Sequence, residues 1–463
     1  MIRFIKEKIF HFFNEGHERT ILTKKNVAAS FAIKGITILI SLILVPLTIN
    51  YVNPERNGIW LTIYAMILWL NLFDIGLGNG MKNKLAEAKA KGENELAKKY
   101  VSSTYAIVGG ICLIVFIAFC FINPQLNWMK ILGSGAGIEP YRHEISGLVW
   151  ITMIAFCITF FLNLLKSVLI ADQRPAIGSF LDMLGQLLTL IGIFILLKTT
   201  SPSLVYLGLI SGFAPVIVYI IATIWLFHTR YKDWKPSFRQ IDFKLAESTL
   251  NLGIKFFIST IAVIMVNQTL PFLILRITSS SEVTVFNVVF RLFSLAFNLI
   301  VIIIIPYWSS FTDAYTKKDF QWMKQSIAYL QQLFWGFLII QVALLILSPV
   351  IYHIWVNRWI TESSNMLTIP FFMSLAVCIY VCATCWMSIF MYPLNGIGKI
   401  KLQVYGSLFE MILLIPIALF LGHYWGASGI VLTPVIIYIP RMIWVPIQIH
   451  KLINQKATGI WNK

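Results

Sequence analysis

The strongest constraint on the fold of this chain is a series of long apolar runs. Each run holds about 20 residues, the number that an α-helix needs to cross about 30 Å of hydrocarbon. Because 58% of the residues are hydrophobic and only 12% are charged, one soluble core could not bury this much apolar surface. The sequence therefore predicts an all-α polytopic membrane protein with twelve transmembrane helices. Their approximate limits are 26–50, 59–80, 100–122, 146–170, 177–197, 203–227, 249–275, 284–308, 327–353, 367–391, 402–421 and 428–450.

The basic residues fall mainly in one set of loops. With residue 1 placed inside, the inner loops and both termini hold 26 of the 37 Lys and Arg residues, the outer loops 6 and the apolar runs 5. This asymmetry follows the positive-inside rule and predicts that both termini are cytoplasmic. The net charge of +17 is therefore assigned to orientation and to contact with anionic membrane lipids, and not to nucleic-acid binding.

The second apolar run has a distinctive end. It leads into the segment FDIGLGNG at 73–80 and then into a stretch with six lysines, MKNKLAEAKAKGENELAKKY at 81–100. An apolar helix followed by basic residues is typical of a membrane helix that emerges into the cytoplasm. We expect the glycines to end this helix by adopting the left-handed conformation.

A second copy of this pattern indicates a fused duplication. Adding 226 to the numbering matches Trp60 with Phe286, Ala88 with Ala314 and Lys98 with Lys324, to name three pairs. Six helices per copy give both copies the same orientation, related by an axis along the membrane normal. The predicted organisation is an N-terminal segment at 1–25, an N-lobe at 26–227, a hinge-like cytoplasmic linker at 228–248, a C-lobe at 249–450 and a tail at 451–463.

Eight ionisable residues lie inside the apolar runs, where each would cost roughly 2.5 to 3.5 kcal/mol at mid-bilayer without a partner or water. Depth along neighbouring helices predicts three pairs: Lys34 with Asp74, Lys166 with Asp182, and Arg441 with Glu410. Two cations are then left over, Lys255 and Arg291.

Five bases and three acids give the apolar runs a net charge of +2. This excess favours a cavity for an anion with two negative charges, such as a diphosphate. Two other interpretations are open: Lys255 and Arg291 could serve helix packing, and Glu410 with Arg441 could be a structural pair instead of an ion-coupling site.

The sequence carries no signature of an enzyme. The seven histidines lack metal-ligand spacing, no P-loop lysine motif is present, and the outer loops are too short for a catalytic domain. We therefore expect a transporter without metal or cofactor. A cationic-drug exporter would need an acidic cavity, and a major-facilitator carrier would need an Asp-Arg element that the first inner loop lacks.

The exit segment at 73–100 and its copy 226 residues further on, together with LNGIGKIKLQ at 394–403, resemble those of the polysaccharide repeat-unit flippases (Wzx-like, O-antigen and capsule type). These belong to the multidrug/oligosaccharidyl-lipid/polysaccharide exporter superfamily. The resemblance implies two six-helix lobes around a central cationic cavity in the cytoplasmic (inner) membrane, which opens alternately to either side.

The same resemblance implies a cargo of polyprenyl, specifically undecaprenyl, pyrophosphate-linked oligosaccharide, and polysaccharide polymerase machinery as a partner. As hypotheses, Lys255 and Arg291 hold the pyrophosphate, and Lys34 and Arg441 assist. A proton or sodium ion cycling on Asp74 or Glu410 would supply energy. An ion-coupled multidrug exporter and a flippase for another lipid-linked anionic precursor are the alternatives.

Overall fold

The computed structural model of the chain is almost entirely helical over the part that it describes. The described residues are 18–70, 77–133, 138–172, 174–242, 245, 265–266, 268–360, 363 and 366–462. The helices are α1 Glu18–Val52, α2 Pro54–Leu68, α3 Leu77–Lys91, α4 Asn94–Ile122, α5 Trp128–Leu132, α6 Arg142–Leu162, α7 Leu164–Ala171, α8 Pro175–Thr199, α9 Leu204–His228, α10 Gln268–Ile277, α11 Ser280–Lys317, α12 Phe320–Trp355, α13 Phe371–Ile397 and α14 Lys401–Ile453.

Nine helical segments of this described part are long and apolar enough to cross a membrane. They confirm a multi-pass membrane protein, because within hydrocarbon a helix satisfies all its backbone hydrogen bonds internally. Two predicted spans, 59–80 and 249–275, contain residues outside the described part. The predicted N-terminal segment at 1–25 also lies largely outside it.

The segment α14, Lys401–Ile453, consists of two helical arms that meet at Gly426, where the chain reverses direction. Gly426 interrupts it with φ 58° and ψ −145°, a backbone conformation that residues with a Cβ rarely adopt. The two arms then pack side by side, because Arg441 donates to Ser407 Oγ at 2.6 Å and to the carbonyl of Gln403. The arms occupy the positions of the last two predicted helices, and Gly426 forms the turn.

The chain divides into two compact units. Unit 1 takes its described residues from Met1–Leu47, Phe73–Leu126 and Gly147–Lys255, and unit 2 from Thr48–Leu72, Asn127–Ser146 and Phe256–Lys463. In unit 1, α3, α4, α7, α8 and α9 share one core, to which the almost fully buried Leu77, Met81 and Leu85 contribute the face of α3.

The prediction that the glycines of the exit segment end a helix is wrong for Gly78 and Gly80. Both lie buried inside the first turns of α3, while Gly76 is outside the described residues. A glycine costs a helix only about 1 kcal/mol relative to alanine. Burial of Leu77 and Met81 on the same helix outweighs that cost, since a fully buried apolar side chain contributes about 1.5 to 3 kcal/mol.

Residues 229–242, in the predicted linker at 228–248, pack against the helices of unit 1. The rings of Tyr231 and Trp234 stack at 5.4 Å with an interplanar angle of 8°, and both side chains are buried. Trp234 Nε1 donates to Asn94 Oδ1 at 3.1 Å. Ser102 Oγ and Ser103 Oγ accept from backbone N–H groups of the linker at 3.0 and 2.8 Å. This stretch is therefore an anchored part of unit 1.

In unit 2, the start of α2 meets the start of α11 in a contact with two-fold pseudosymmetry. A Cβ on Gly58 would lie 1.7 Å from the carbonyl oxygen of Ser280, so the two backbones touch there. The equivalent contact after an offset of 226 is also present, since Thr284 Oγ1 donates to the carbonyl of Pro54 at 2.7 Å. We name the contacts of Gly58 with Ser280 and of Thr284 with Pro54 the 58/284 contact. The two contacts thus join positions that the predicted offset of 226 relates, and the internal repeat itself stays a prediction.

Candidate functional site

Glu410 and Arg441, on the two arms of α14, form a buried ion pair. Arg441 Nε lies 2.8 Å from Glu410 Oε1, and their side chains are only 5% and 4% exposed. The predicted pairing of these two residues is confirmed. Burial of either charge alone would cost several kcal/mol, so each charge requires the opposite charge of its partner.

Polar groups on the first arm surround this pair. Ser407 Oγ accepts from Arg441 Nη2 at 2.6 Å, and the carbonyl of Gln403 accepts at 3.4 Å. Gln403, Ser407 and Glu410 are spaced at i, i+4 and i+7, so they share one helix face. Among the described residues, the buried Gln403 Oε1 has no hydrogen-bond partner. Ser407 and Gln403 were not among the predicted site residues, although their spacing from Glu410 was the available signal.

Of the other predicted site residues, two lie in the described part of the chain, one in each unit. Arg291 lies half-buried on α11, next to the buried Leu292 and Phe293. Lys34 lies on α1 in unit 1 with an exposed side chain, whereas Arg291, Glu410 and Arg441 belong to unit 2. Lys255 and Asp74 lie outside the described residues, and so does the predicted pairing of Lys34 with Asp74.

The predicted pair of Lys166 and Asp182 is also confirmed, and a tyrosine completes it. Lys166 Nζ lies 2.8 Å from Asp182 Oδ1, and Tyr219 Oη donates to the same oxygen at 2.8 Å. The ammonium group also lies 5.3 Å from the centre of the Tyr219 ring, within reach of a cation–π interaction. Both charged side chains are partly exposed, which favours a structural role at the membrane surface.

A further charged cluster surrounds Asp172, in the turn between α7 and α8. Its Oδ1 pairs with Lys89, while Oδ2 accepts from Tyr231 Oη at 2.8 Å and Arg230 Nε at 3.0 Å and lies 3.4 Å from Arg174 Nε. We name these five residues the Asp172 cluster. Burial alone would raise the pKa of Asp172, but the hydrogen bonds from Lys89, Tyr231 and Arg230 outweigh it and hold this pKa below its ordinary value.

Comparison with known proteins shows a transporter fold. An inward-facing multidrug resistance MATE family transporter of the MOP superfamily matches with a TM-score of 0.76 at 15% identity, over 93% of this chain and 100% of that one. The inward closed conformation of the lipid II flippase MurJ matches with a TM-score of 0.64 at 16% identity, over 92% and 89%. At these identities the likeness establishes the fold.

The sequence itself establishes the family. The family described as "Polysaccharide biosynthesis protein" matches residues 23–311, and the chain belongs to it. A Salmonella typhi protein described as "Putative O-antigen transporter" is 20% identical over 378 residues, which cover 81% of this chain and 83% of that protein. The predicted resemblance to Wzx-like flippases is thereby confirmed, and the relatives that match are described as transporters and as a flippase.

Proposed function

We propose that the chain flips polyprenyl (undecaprenyl) pyrophosphate-linked oligosaccharide repeat units from the inner to the outer leaflet of the cytoplasmic membrane by alternating access. Membership of the polysaccharide biosynthesis family, with an O-antigen transporter as a relative, supports the sugar-bearing cargo. The shared fold with a lipid II flippase supports a lipid-linked one.

The proposed architecture has twelve transmembrane helices in two six-helix lobes, at 26–227 and 249–450. The reversal of α14 at Gly426 supports counting that element as two spans. The 58/284 contact, with its offset of 226, supports the related arrangement of the two copies. With the basic loops inside, both termini are cytoplasmic.

One observation carries the substrate assignment: the apolar spans hold two more bases than acids. In the proposal, Lys255 and Arg291 bind the pyrophosphate, because a doubly negative group offsets this excess within a low-dielectric slab. Lys34 and Arg441 assist. Arg441 is enclosed by Glu410 and Ser407, so its assistance requires Glu410 to release it during the cycle.

Ion coupling follows from the same pair. A proton or sodium ion on Glu410 would neutralise this carboxylate and weaken its hold on Arg441, and Asp74 would act in the same way toward Lys34. Each charge that crosses a potential of 100 mV supplies about 2.3 kcal/mol. Binding of the ion and release of the cation would then be linked.

The decisive experiment neutralises the two proposed pyrophosphate ligands. We expect Lys255→Gln and Arg291→Gln each to abolish export in cells that lack the native gene, and to abolish flipping of the purified lipid-linked oligosaccharide in vesicles. Lys317→Gln is the matched control, because Lys317 is exposed and pairs along its own helix with Asp313. Full activity of both neutral variants, at wild-type levels of folded protein, would refute the assignment.

A multidrug exporter is the alternative function, since a multidrug transporter shares the fold over the whole of its own length. The two functions separate in one assay. Accumulation of lipid-linked sugar on the inner leaflet after gene deletion supports the flippase. Increased sensitivity to cationic drugs, without that accumulation, supports the exporter.

A further inference from the structure

The Asp172 cluster gathers residues from four membrane-span ends. Asp172 directly follows the candidate span Glu139–Ala171, and Arg174 directly precedes Pro175–Thr199. Arg230 lies two residues beyond Leu204–His228, and Lys89 lies five residues before Asn94–Gln125. Because all four positions adjoin span ends, the cluster lies at the depth of the lipid headgroups, whichever way the chain is oriented.

The cluster carries more positive charge than its own members neutralise. Lys89, Arg174 and Arg230 surround the one carboxylate of Asp172, which leaves a surplus of two positive charges. The side chain of Asp172 is 5% exposed, so it is enclosed by its partners. The three cations are 42%, 39% and 42% exposed, so part of each head group is open to a further anion.

Exposed apolar side chains lie closer to the membrane interior than the cluster does, along α7 and α9. Ile170, two residues before Asp172, is 45% exposed, and Trp225, five residues before Arg230, is 64% exposed. Tryptophan favours this interfacial position, where its ring contacts acyl chains below the headgroups. A soluble anion would use the cations alone, whereas a phospholipid would use the cations and these apolar side chains together.

We propose that the Asp172 cluster binds the phosphate of an anionic phospholipid headgroup, whose acyl chains extend to the depth of Ile170 and Trp225. Lys89, Arg174 and Arg230 supply the donors, and Asp172 holds the three cations together, which would otherwise repel one another. Because Arg230 and Tyr231 begin the anchored linker, the bound lipid fastens the linker to α3 and α8. The proposal rests on the membrane class of the chain and is independent of its cargo.

The test measures binding of phosphatidylglycerol to the purified full-length chain by native mass spectrometry, with phosphatidylcholine as the zwitterionic comparison. In the double variant R174Q/R230Q we expect the preference for phosphatidylglycerol to weaken by about fivefold for each residue, since one interfacial cation contributes roughly that factor. Arg239→Gln is the matched control, because Arg239 is an exposed arginine of the same linker outside the cluster.

Each outcome decides the proposal. A loss in R174Q/R230Q, retention in R239Q and no competition by inorganic phosphate at millimolar concentration would support it. Equal losses in R239Q would indicate diffuse attraction and overturn it, and an unchanged preference in R174Q/R230Q would overturn it as well. Competition by phosphate would identify a soluble-anion site and overturn the lipid assignment. If the double variant fails to fold, R174Q carries the same test, because its contact with Asp172 is the longest of the three.

Discussion

The buried pair of Arg441 and Glu410 gives a quantitative test of how the two arms of α14 are held together. We consider Glu410→Gln, Arg441→Gln and the double variant, which removes both charges while it keeps comparable side-chain volumes. The pair has a 2.8 Å contact and side chains that are 5% and 4% exposed, so little water screens it. Its two charges should therefore be strongly coupled.

The expected magnitude follows from burial. Two unit charges about 4 Å apart attract by about 4 kcal/mol at an effective dielectric constant of 20. Removal of one partner from a buried pair costs about 3 to 5 kcal/mol because the other charge is left uncompensated. Removal of both charges avoids that cost, so the double variant should be more stable than either single variant.

Thermal unfolding in detergent would measure this coupling. An entropy of unfolding of about 2.1 cal/mol/K per residue gives roughly 1 °C in Tm for each kcal/mol in a chain of 463 residues. Each single variant should then unfold roughly 3 to 5 °C below the wild type, and the double variant should recover most of that loss.

A matched control is the exposed pair of Lys317 and Asp313 on α11. Its contact is also 2.8 Å, but the two side chains are 70% and 63% exposed, so Asp313→Asn should change Tm by about 1 °C at most. If the effects of Glu410→Gln and Arg441→Gln simply add in the double variant, the two charges are not coupled and this reasoning fails.

Three further predictions address other parts of the molecule. Gly58→Val would place side-chain atoms into a carbonyl of α11, so we expect a lower Tm and loss of export. Gly35→Val is the control, because nothing lies within 4 Å of its Cβ and no steric clash lowers its Tm. Equal losses of Tm in the two variants would refute the close contact at Gly58. The double cysteine variant N57C/T284C, at positions whose native side chains are hydrogen-bonded at 3.2 Å, should link α2 to α11 by a disulfide under oxidation, and failure to form this link would contradict their proximity. The partners of Asp172 lower its pKa, so the stability that this carboxylate contributes is complete above its unfolded pKa of about 3.9 and is lost as the pH falls through the lower folded pKa. Below about pH 4, the Tm of Asp172→Asn should therefore fall less than that of the wild type. Parallel pH profiles of Tm would argue against this contribution of Asp172.

Depth along a helix made two of the charge pairs predictable. A rise of about 1.5 Å per residue places residues on adjacent apolar runs at comparable heights, and this sufficed to pair Lys166 with Asp182 and Arg441 with Glu410. Uninterrupted hydrophobicity likewise predicted the membrane helices, because backbone in hydrocarbon has few alternatives to a helix.

Contacts between distant loops could not be predicted in this way. Asp172 meets Lys89 and Arg230 across 83 and 58 residues, and no periodic pattern connects those loops. The prediction that glycines of the exit segment end a helix was wrong for a related reason. Local preference indicated that Gly78 and Gly80 would end a helix, but tertiary burial of the neighbouring Leu77 and Met81 decided the structure.

The 58/284 contact also shows how two positions related by the offset of 226 can have different structural roles. These two positions, 226 residues apart, carry a glycine and a threonine. Two glycines would lack the hydroxyl that reaches the carbonyl of Pro54, and two threonines would put a Cβ 1.7 Å from the carbonyl of Ser280. The fit therefore requires a residue without a Cβ at position 58 and a hydroxyl donor at position 284, so exchange of these two residues would lose both the close approach and the hydrogen bond.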